Sequence, residues 1–277
     1  MMRALLPAAV LAFNVHAADV EPVKNAGPYV PSPQSVVSDM LRYADVSASD
    51  FLIDLGSGDG RIVLTAAKVF GARGFGVEIK EDLVKRANQA AKDQGLADRV
   101  KFLKQDLFKT DISQATVITM YLLPDTVNLL KDKFMSELKP GTRIVSHDYP
   151  LTGWIPEKYV HMDLEDKVQI SGVTTTLIYL YVVPARVAGS WTVRMPPAVS
   201  RAPATLSLNQ QLTRVSGSAT IDGKNVPLED VVLRGDKISF RFAGRKGEFT
   251  GQVRGNAIEG MFDSGGNKSA WSAALKG

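Results

Sequence analysis

The chain has 277 residues and no cysteine. That removes disulfides, thiolate nucleophiles and cysteine-ligated metals from consideration, and an oxidising compartment would do it no harm. Histidine is scarce too, with three in the chain. His147 and His161 are too few and too separated to suggest a metal site, so none is expected. No apolar stretch reaches the length of a membrane-crossing helix. Aromatic residues make up 8% of the chain and do not interleave with basic ones as they do in single-strand nucleic-acid binders, so no nucleic-acid partner is expected. The remainder, 45% hydrophobic and 22% charged, is ordinary globular composition. The length suits one α/β domain plus something smaller.

The longest apolar run lies at the start. Met1-Met-Arg3 is basic, Ala4 to Phe13 is apolar, and Val15-His-Ala17 places small residues at the −3 and −1 positions before Ala18. These are the three parts of a secretory signal peptide, residues 1–17. The run is too short to span a membrane, so the expected product is exported, periplasmic or secreted, with no transmembrane segment after cleavage. The alternative is a cytoplasmic protein with an N-terminal helix, although the run shows no amphipathic period. The formal net charge of +4 is uneven: residues 189–277 carry 12 basic and 7 acidic residues, against 20 and 22 in residues 18–188. The basic excess therefore belongs to the C-terminal part, where it suits an acidic surface or simply solvates one face.

Residues 51–61, Phe-Leu-Ile-Asp-Leu-Gly-Ser-Gly-Asp-Gly-Arg, carry the strongest signal. An apolar run ends in Asp54, glycines follow at 56, 58 and 60, and a helical pattern begins at Ile62. Strand, glycine turn and helix build a nucleotide site at the carboxyl end of the first strand of an open α/β sheet. The G-x-G-x-G spacing is not the G-x-G-x-x-G of a dinucleotide site, which makes a dehydrogenase a distant reading. The carboxylates of Asp54 and Asp59 would repel a pyrophosphate; they suit a ligand with cationic groups and hydroxyls, such as S-adenosylmethionine. A second buried strand, Arg73 to Ile79, ends in Glu78, placed to accept from both ribose hydroxyls. A helix over 80–92 and a third strand over 100–105 lead to Asp106, which could accept from an adenine amino group.

These residues resemble the class I S-adenosylmethionine-dependent methyltransferases, and within them the group containing the ATP synthase c-subunit lysine methyltransferase and its bacterial relatives. The likeness rests on Tyr29-Val-Pro-Ser-Pro33, Asp54-Leu-Gly-Ser-Gly-Asp-Gly-Arg-Ile-Val63, Tyr121-Leu-Leu-Pro124, Leu138-Lys-Pro-Gly-Thr-Arg-Ile-Val-Ser146 and Trp154. It covers residues from about 26 to 190. The resemblance implies a Rossmann-like, mostly parallel seven-stranded sheet with a reversed last strand, S-adenosylmethionine as cofactor and a protein side chain such as lysine as acceptor. It also implies a cofactor site drawn from Tyr29, Asp54, Gly56, Ser57, Gly58, Asp59, Gly60, Glu78 and Asp106. The stretches 116–123, 143–146 and 174–183 read as further strands, and a helix over 125–138 stops at Lys139-Pro140-Gly141.

Two residues are candidates for the chemistry. Tyr121, in the loop after the fourth strand, either orients an amine or packs against the adenosine. His147, after the fifth strand, either accepts a proton or is a hydrogen-bonded structural residue.

From residue 188 the pattern changes. Short alternating runs at 205–208, 219–221, 231–233, 238–242, 249–253 and 258–262 are separated by Asp222-Gly223, Gly235-Asp236, Gly244, Gly255-Asn256 and Gly265-Gly266. Such pairs are hairpin turns, and the spacing predicts an all-β antiparallel meander closed as a barrel or sandwich. The expected organisation is thus a methyltransferase domain over 26–187 and a β domain over 188–277, joined by a linker around 186–190. Trp191 and Trp271 read as core anchors, or as ligand-stacking residues if the meander is an open cup. Two functions are carried forward: an active methyltransferase, and an exported binding protein that keeps the fold and uses its basic β domain for cell-envelope contacts. Oligomeric state is not legible.

Overall fold

The computed structural model describes residues 28–277; the expected signal peptide, residues 1–17, lies outside them. The first part is a seven-stranded sheet: β1 (Phe51–Leu55), β2 (Arg73–Glu78), β3 (Val100–Lys104), β4 (Val117–Met120), β5 (Arg143–His147), β6 (Lys158–Asp163) and β7 (Thr175–Val182). The strand order is β3-β2-β1-β4-β5-β7-β6. Only β7 is reversed, pairing antiparallel with β5 and β6. The expected mostly parallel sheet with a reversed last strand is what forms.

The inner strands are mostly apolar and buried because helices cover both faces. Every residue of β4 is buried. Alternation along β1 splits the core: Leu52 faces one cluster with Val63, Ala66, Val84 and Val145, and Ile53 and Leu55 face another with Met120, Phe134, Ile144 and Trp154. The first cluster is roofed by α1 (Gln34–Tyr43), α2 (Arg61–Phe70) and α3 (Glu81–Asp93). Each buries one stripe, such as Val36, Val37, Met40 and Leu41 on α1. In α2, Gly71 at φ 74° ends the helix, with Gly71 N–H bonded to Ala67 O and Ala72 N–H to Ala66 O, the pairing of a glycine C-cap.

The structure departs from expectation in three places. The expected helix over 125–138 is two, α4 (Pro124–Leu129) and α5 (Lys131–Glu137). β6 and α6 (Glu165–Ser171) do not stand out in the sequence; β6 is an edge strand carrying Lys158, His161 and Asp163, and charge on an edge masks the strand pattern. The linker around 186–190 is shorter than expected, because Gly189 already opens β8 (Gly189–Arg194).

The second part is a closed antiparallel barrel of eight strands, β8 to β15. Neighbours in sequence pair throughout, and β15 (Asn267–Leu275) returns to β8, with Leu275 opposite Trp191. Trp191, Leu206, Ile238, Phe240, Phe249 and Trp271 fill the interior. The indole N–H of Trp191 donates to Val187 O, and that of Trp271 to Thr250 O, each at 2.9 Å. The barrel is packed, so both tryptophans are core residues and the open-cup alternative does not hold.

The junction between the two parts has a fixed place. Val182, the end of reversed β7, lies opposite Arg143, the start of β5. The chain therefore leaves the sheet at the amino ends of its parallel strands. There Ala185 N–H donates to Gly235 O at 2.7 Å, Arg186 to Met135 O at 2.8 Å, and Arg234 pairs with Glu157 at 2.9 Å.

Candidate active site

The candidate residues gather at the opposite edge, the carboxyl ends of β1, β2, β3 and β4. Gly56, Gly58 and Gly60 have φ of 79°, 53° and 83°, a region other residues enter only at a cost. The space of each missing side chain is in use. A Cβ on Gly56 would meet Leu122 at 2.6 Å, one on Gly58 would meet the Tyr29 ring at 2.5 Å, and one on Gly60 would meet Phe102 at 2.5 Å and Ala87 at 2.9 Å. The first two thus shape the cleft, and the third lets α2 settle against α3 and the sheet.

Asp54 is buried and accepts a hydrogen bond from Thr119 Oγ1 at 2.7 Å. Burial pushes its pKa up to about 7, opposed by the Thr119 hydroxyl and reinforced by the negative charges of Asp59 and Glu78. Glu78 accepts N–H bonds from Ile79 at 2.8 Å, Lys80 at 2.9 Å and Gly58 at 3.2 Å, so its carboxylate ties the glycine loop to the end of β2. Asp106 accepts from Phe108 N–H at 2.9 Å. Arg61 donates twice to Asp59 Oδ2, at 2.6 and 3.2 Å, and to Ser32 O at 2.8 Å. It straps the Tyr29–Pro33 segment across the loop. Burial would raise the pKa of Asp59, but its bonds with Arg61 hold it below the usual carboxylate value.

Tyr29, Asp54, Gly56, Ser57, Gly58, Asp59, Glu78, Asp106 and Tyr121 line one cleft of about 210 Å³. Two predicted site residues do not line it. Gly60 sits behind the loop at the start of α2. His147 is fully buried, with Nδ1 2.8 Å from Ser32 Oγ and its ring 4.0 Å from that of Tyr121. Burial pushes its pKa down to about 4, so it is a neutral imidazole at pH 7, one layer behind the cleft wall. The Tyr121 hydroxyl is pushed well above its ordinary value by burial and by Asp148, and so stays protonated.

Behind this pair lies a cluster that the sequence does not advertise. Asp148 adopts a left-handed φ of 63°. Lys167 on α6 is 2% exposed and donates to both Asp148 oxygens at 2.7 and 2.6 Å. Val168 and Ile170 on the same helix are 45% and 36% exposed. A polarity rule points a lysine outwards and these residues inwards, so α6 is inverted and offers no usable signal.

The profile of the ANTKMT methyltransferase domain matches residues 54–158, the stretch that holds most of the cleft. The protein-lysine N-methyltransferase of Saccharolobus islandicus (strain REY15A) is 43% identical over 157 residues, spanning 56% of this chain and 93% of that one. The chain belongs to the class I S-adenosylmethionine-dependent methyltransferases. The ATP synthase c-subunit lysine N-methyltransferase of Xenopus laevis is 31% identical over 130 residues, covering 47% of this chain and 57% of that one. The chain thus spans little more than half the length of this animal relative. A crystal structure described as an RNA methyltransferase from Salinibacter ruber, in complex with S-adenosyl-L-homocysteine, aligns with a TM-score of 0.51 and 46% identity, covering 57% of this chain and 96% of that one. As a methyltransferase of this class the protein uses S-adenosylmethionine. The cleft fits that cofactor. Its wall carries carboxylates for a cationic ligand rich in hydroxyl and amino donors, and the buried Ser57 Oγ has no hydrogen-bond partner among the described residues.

Proposed function

We propose that the protein transfers a methyl group from S-adenosylmethionine to a lysine side chain of a protein acceptor. The observation that carries this reading is the 43% identity across 93% of an archaeal protein-lysine N-methyltransferase. The cofactor, when bound, supplies a methyl group on a sulfonium, which is a good leaving group. The residues then have these roles. Glu78 accepts from the ribose hydroxyls and Asp106 from the adenine amino group. Asp54, Gly56, Ser57 and Gly58 hold the amino-acid part, with Asp54 ionised by the cation beside it. Tyr29 and Arg61 close the segment over the loop. Because displacement at a sulfonium needs little chemical assistance, positioning and exclusion of water are the main work. A lysine must arrive unprotonated, which an uncharged wall favours. Tyr121 and Leu122 supply that wall, and His147 supports Tyr121 from behind.

The intact cleft supports an active enzyme over a binding protein that has lost catalysis. Export rests on residues 1–17 alone; an intact mass beginning at Ala18 in the extracellular or periplasmic fraction would establish it, and one beginning at Met1 or Met2 in the cytoplasm would overturn it. The deciding experiment for activity uses radiolabelled S-adenosylmethionine with total cell protein and, separately, with total RNA. Label on protein, with mass spectrometry placing the added methyl groups on lysine, is the expected result. Label on RNA alone would move the acceptor to the class named for the Salinibacter protein.

A further inference from the structure

The buried Lys167–Asp148 pair does not line the cofactor cleft, yet Asp148 stands against His147, whose ring lies 4.0 Å from that of Tyr121 on the cleft wall. A lysine that is 2% exposed, held by two carboxylate oxygens and by the Thr175 carbonyl, has been taken out of water at a cost that a surface lysine avoids. Its helix exposes Val168 and Ile170 to allow it. Asp148 also accepts from Leu177 N–H at 3.1 Å. Its Oδ1 lies 3.5 Å from His147 Nε2, a nitrogen with no hydrogen-bond partner among the described residues.

We propose that Lys167 is a positioning residue for methyl transfer: its ammonium neutralises Asp148, so that Asp148 braces His147 and Tyr121 without drawing a proton onto the imidazole. The proposal rests on the lysine-acceptor reading above. An acceptor amine and a sulfonium both bring positive charge to the cleft, and an imidazolium behind Tyr121 would oppose each of them. Among the described residues, the groups that face His147 are few. They are the Ser32 hydroxyl from the segment strapped down by Arg61, the Tyr121 ring after β4 with Tyr149 stacked against it, Asp148 after β5, and Lys167 from α6 through Asp148. On β7 the residue opposite is Ile178, which carries no charge. Asp148 favours the charged imidazole, while burial and Lys167 favour the neutral one. Burial is the largest of these influences, and Lys167 is the removable charge that works with it against Asp148.

The test is Lys167→Met, with three readouts: the His147 ring titration by NMR, S-adenosylmethionine affinity by calorimetry, and the pH profile of methyl transfer to a lysine peptide. The His147 midpoint should rise by roughly a pH unit or more, since a removed neighbouring cation favours the charged ring, while cofactor affinity stays within about threefold. The acid-side fall in transfer should move up with that midpoint, so that one pH unit below it the rate is about tenfold under its own plateau and recovers as the pH passes the new midpoint. Adding Asp148→Asn to the same variant should bring the His147 midpoint back down. If Lys167→Met does not fold, Lys167→Gln carries the same test, since its amide keeps a donor for the Thr175 carbonyl but no charge. An unmoved His147 midpoint, a loss of transfer that no pH restores, or a loss that tracks cofactor affinity would overturn the proposal. If the parent methylates no lysine peptide, the acceptor reading fails separately. The titration then still decides: a midpoint that moves upholds control by Lys167, and one that stays refutes it.

Discussion

Replacing Asp54 by Asn should make the protein more stable and a poorer binder of its cofactor. The carboxyl is fully buried, and burial with two neighbouring carboxylates raises its pKa from 3.8 to about 7. At about 1.4 kcal/mol per pH unit, ionising it inside the fold rather than in water costs up to ~4 kcal/mol. The sign follows from proton binding. Between the unfolded and folded values the native state holds the proton that the unfolded chain has lost, so the parent's stability is greatest at acid pH and falls as the pH rises from about 4 through about 7. The variant has nothing to ionise at this position, and its amide oxygen can still accept from Thr119. The stability gained by the variant should therefore grow between about pH 5 and pH 8, by roughly 3 kcal/mol as an upper bound. At roughly 2–4 °C per kcal/mol for a chain of this size, that is several degrees in Tm. A cationic ligand favours the ionised form, so affinity for S-adenosylmethionine should rise with pH in the parent and be weak and flat in the variant. Thermal unfolding and calorimetric titration at about pH 5, 6.5 and 8 measure both trends. A variant less stable than the parent at the alkaline end, or one that binds the cofactor as tightly, would refute the assignment of Asp54 as a charge held ready for the ligand.

Glu78→Ala should weaken S-adenosylmethionine binding by about 1–3 kcal/mol, roughly five- to 150-fold, because two ribose hydroxyls and the Gly58 N–H lose their acceptor; equal affinities by calorimetry would show that the ribose is held elsewhere. Gly58→Val should abolish binding while leaving a cooperative melt, since φ is 53° and a Cβ would lie 2.5 Å from the Tyr29 ring; retained binding would exclude the glycine loop from the site. Residues 18–187 produced alone should bind the cofactor within about threefold of the whole chain, and residues 188–277 should unfold cooperatively, because all but Ala185 and Val187 of the barrel's buried apolar core lie within them. An unfolded first fragment would show that the junction at Ala185 and Gly235 carries more of the stability than its few bonds suggest.

The parts of the fold legible in the sequence are those where local pattern and tertiary role agree. The apolar strands of the sheet centre, the glycine loop and the hairpin turns each declare themselves through a local requirement. Asp54, Glu78 and Asp106 can be found because each ends a strand, and topology alone brings strand ends together. The function of Gly58 is only half visible: its need for space is expected from the ligand, and the Tyr29 ring fills that space first. What stays hidden depends on contacts distant in sequence. Lys167 looks like a surface residue on a polar segment until β5 and β7 bring Asp148 and Thr175 around it. β6 carries edge charges that break its period. His147 reads as a candidate base, and only burial behind Tyr121 makes it a neutral support.

The barrel grips the sheet at the amino ends of the parallel strands, and the cleft opens at their carboxyl ends. No residue of the barrel lines the cleft, so any part it took in turnover would be one of supply. A basic module fixed to the far pole can raise the local concentration of an acceptor it recognises, and effective concentration acts on encounter, not on reaction. Saturating acceptor should then erase any difference between the whole chain and residues 18–187, while dilute acceptor should reveal it: kcat would belong to one pole of the molecule and KM would be shared with the other.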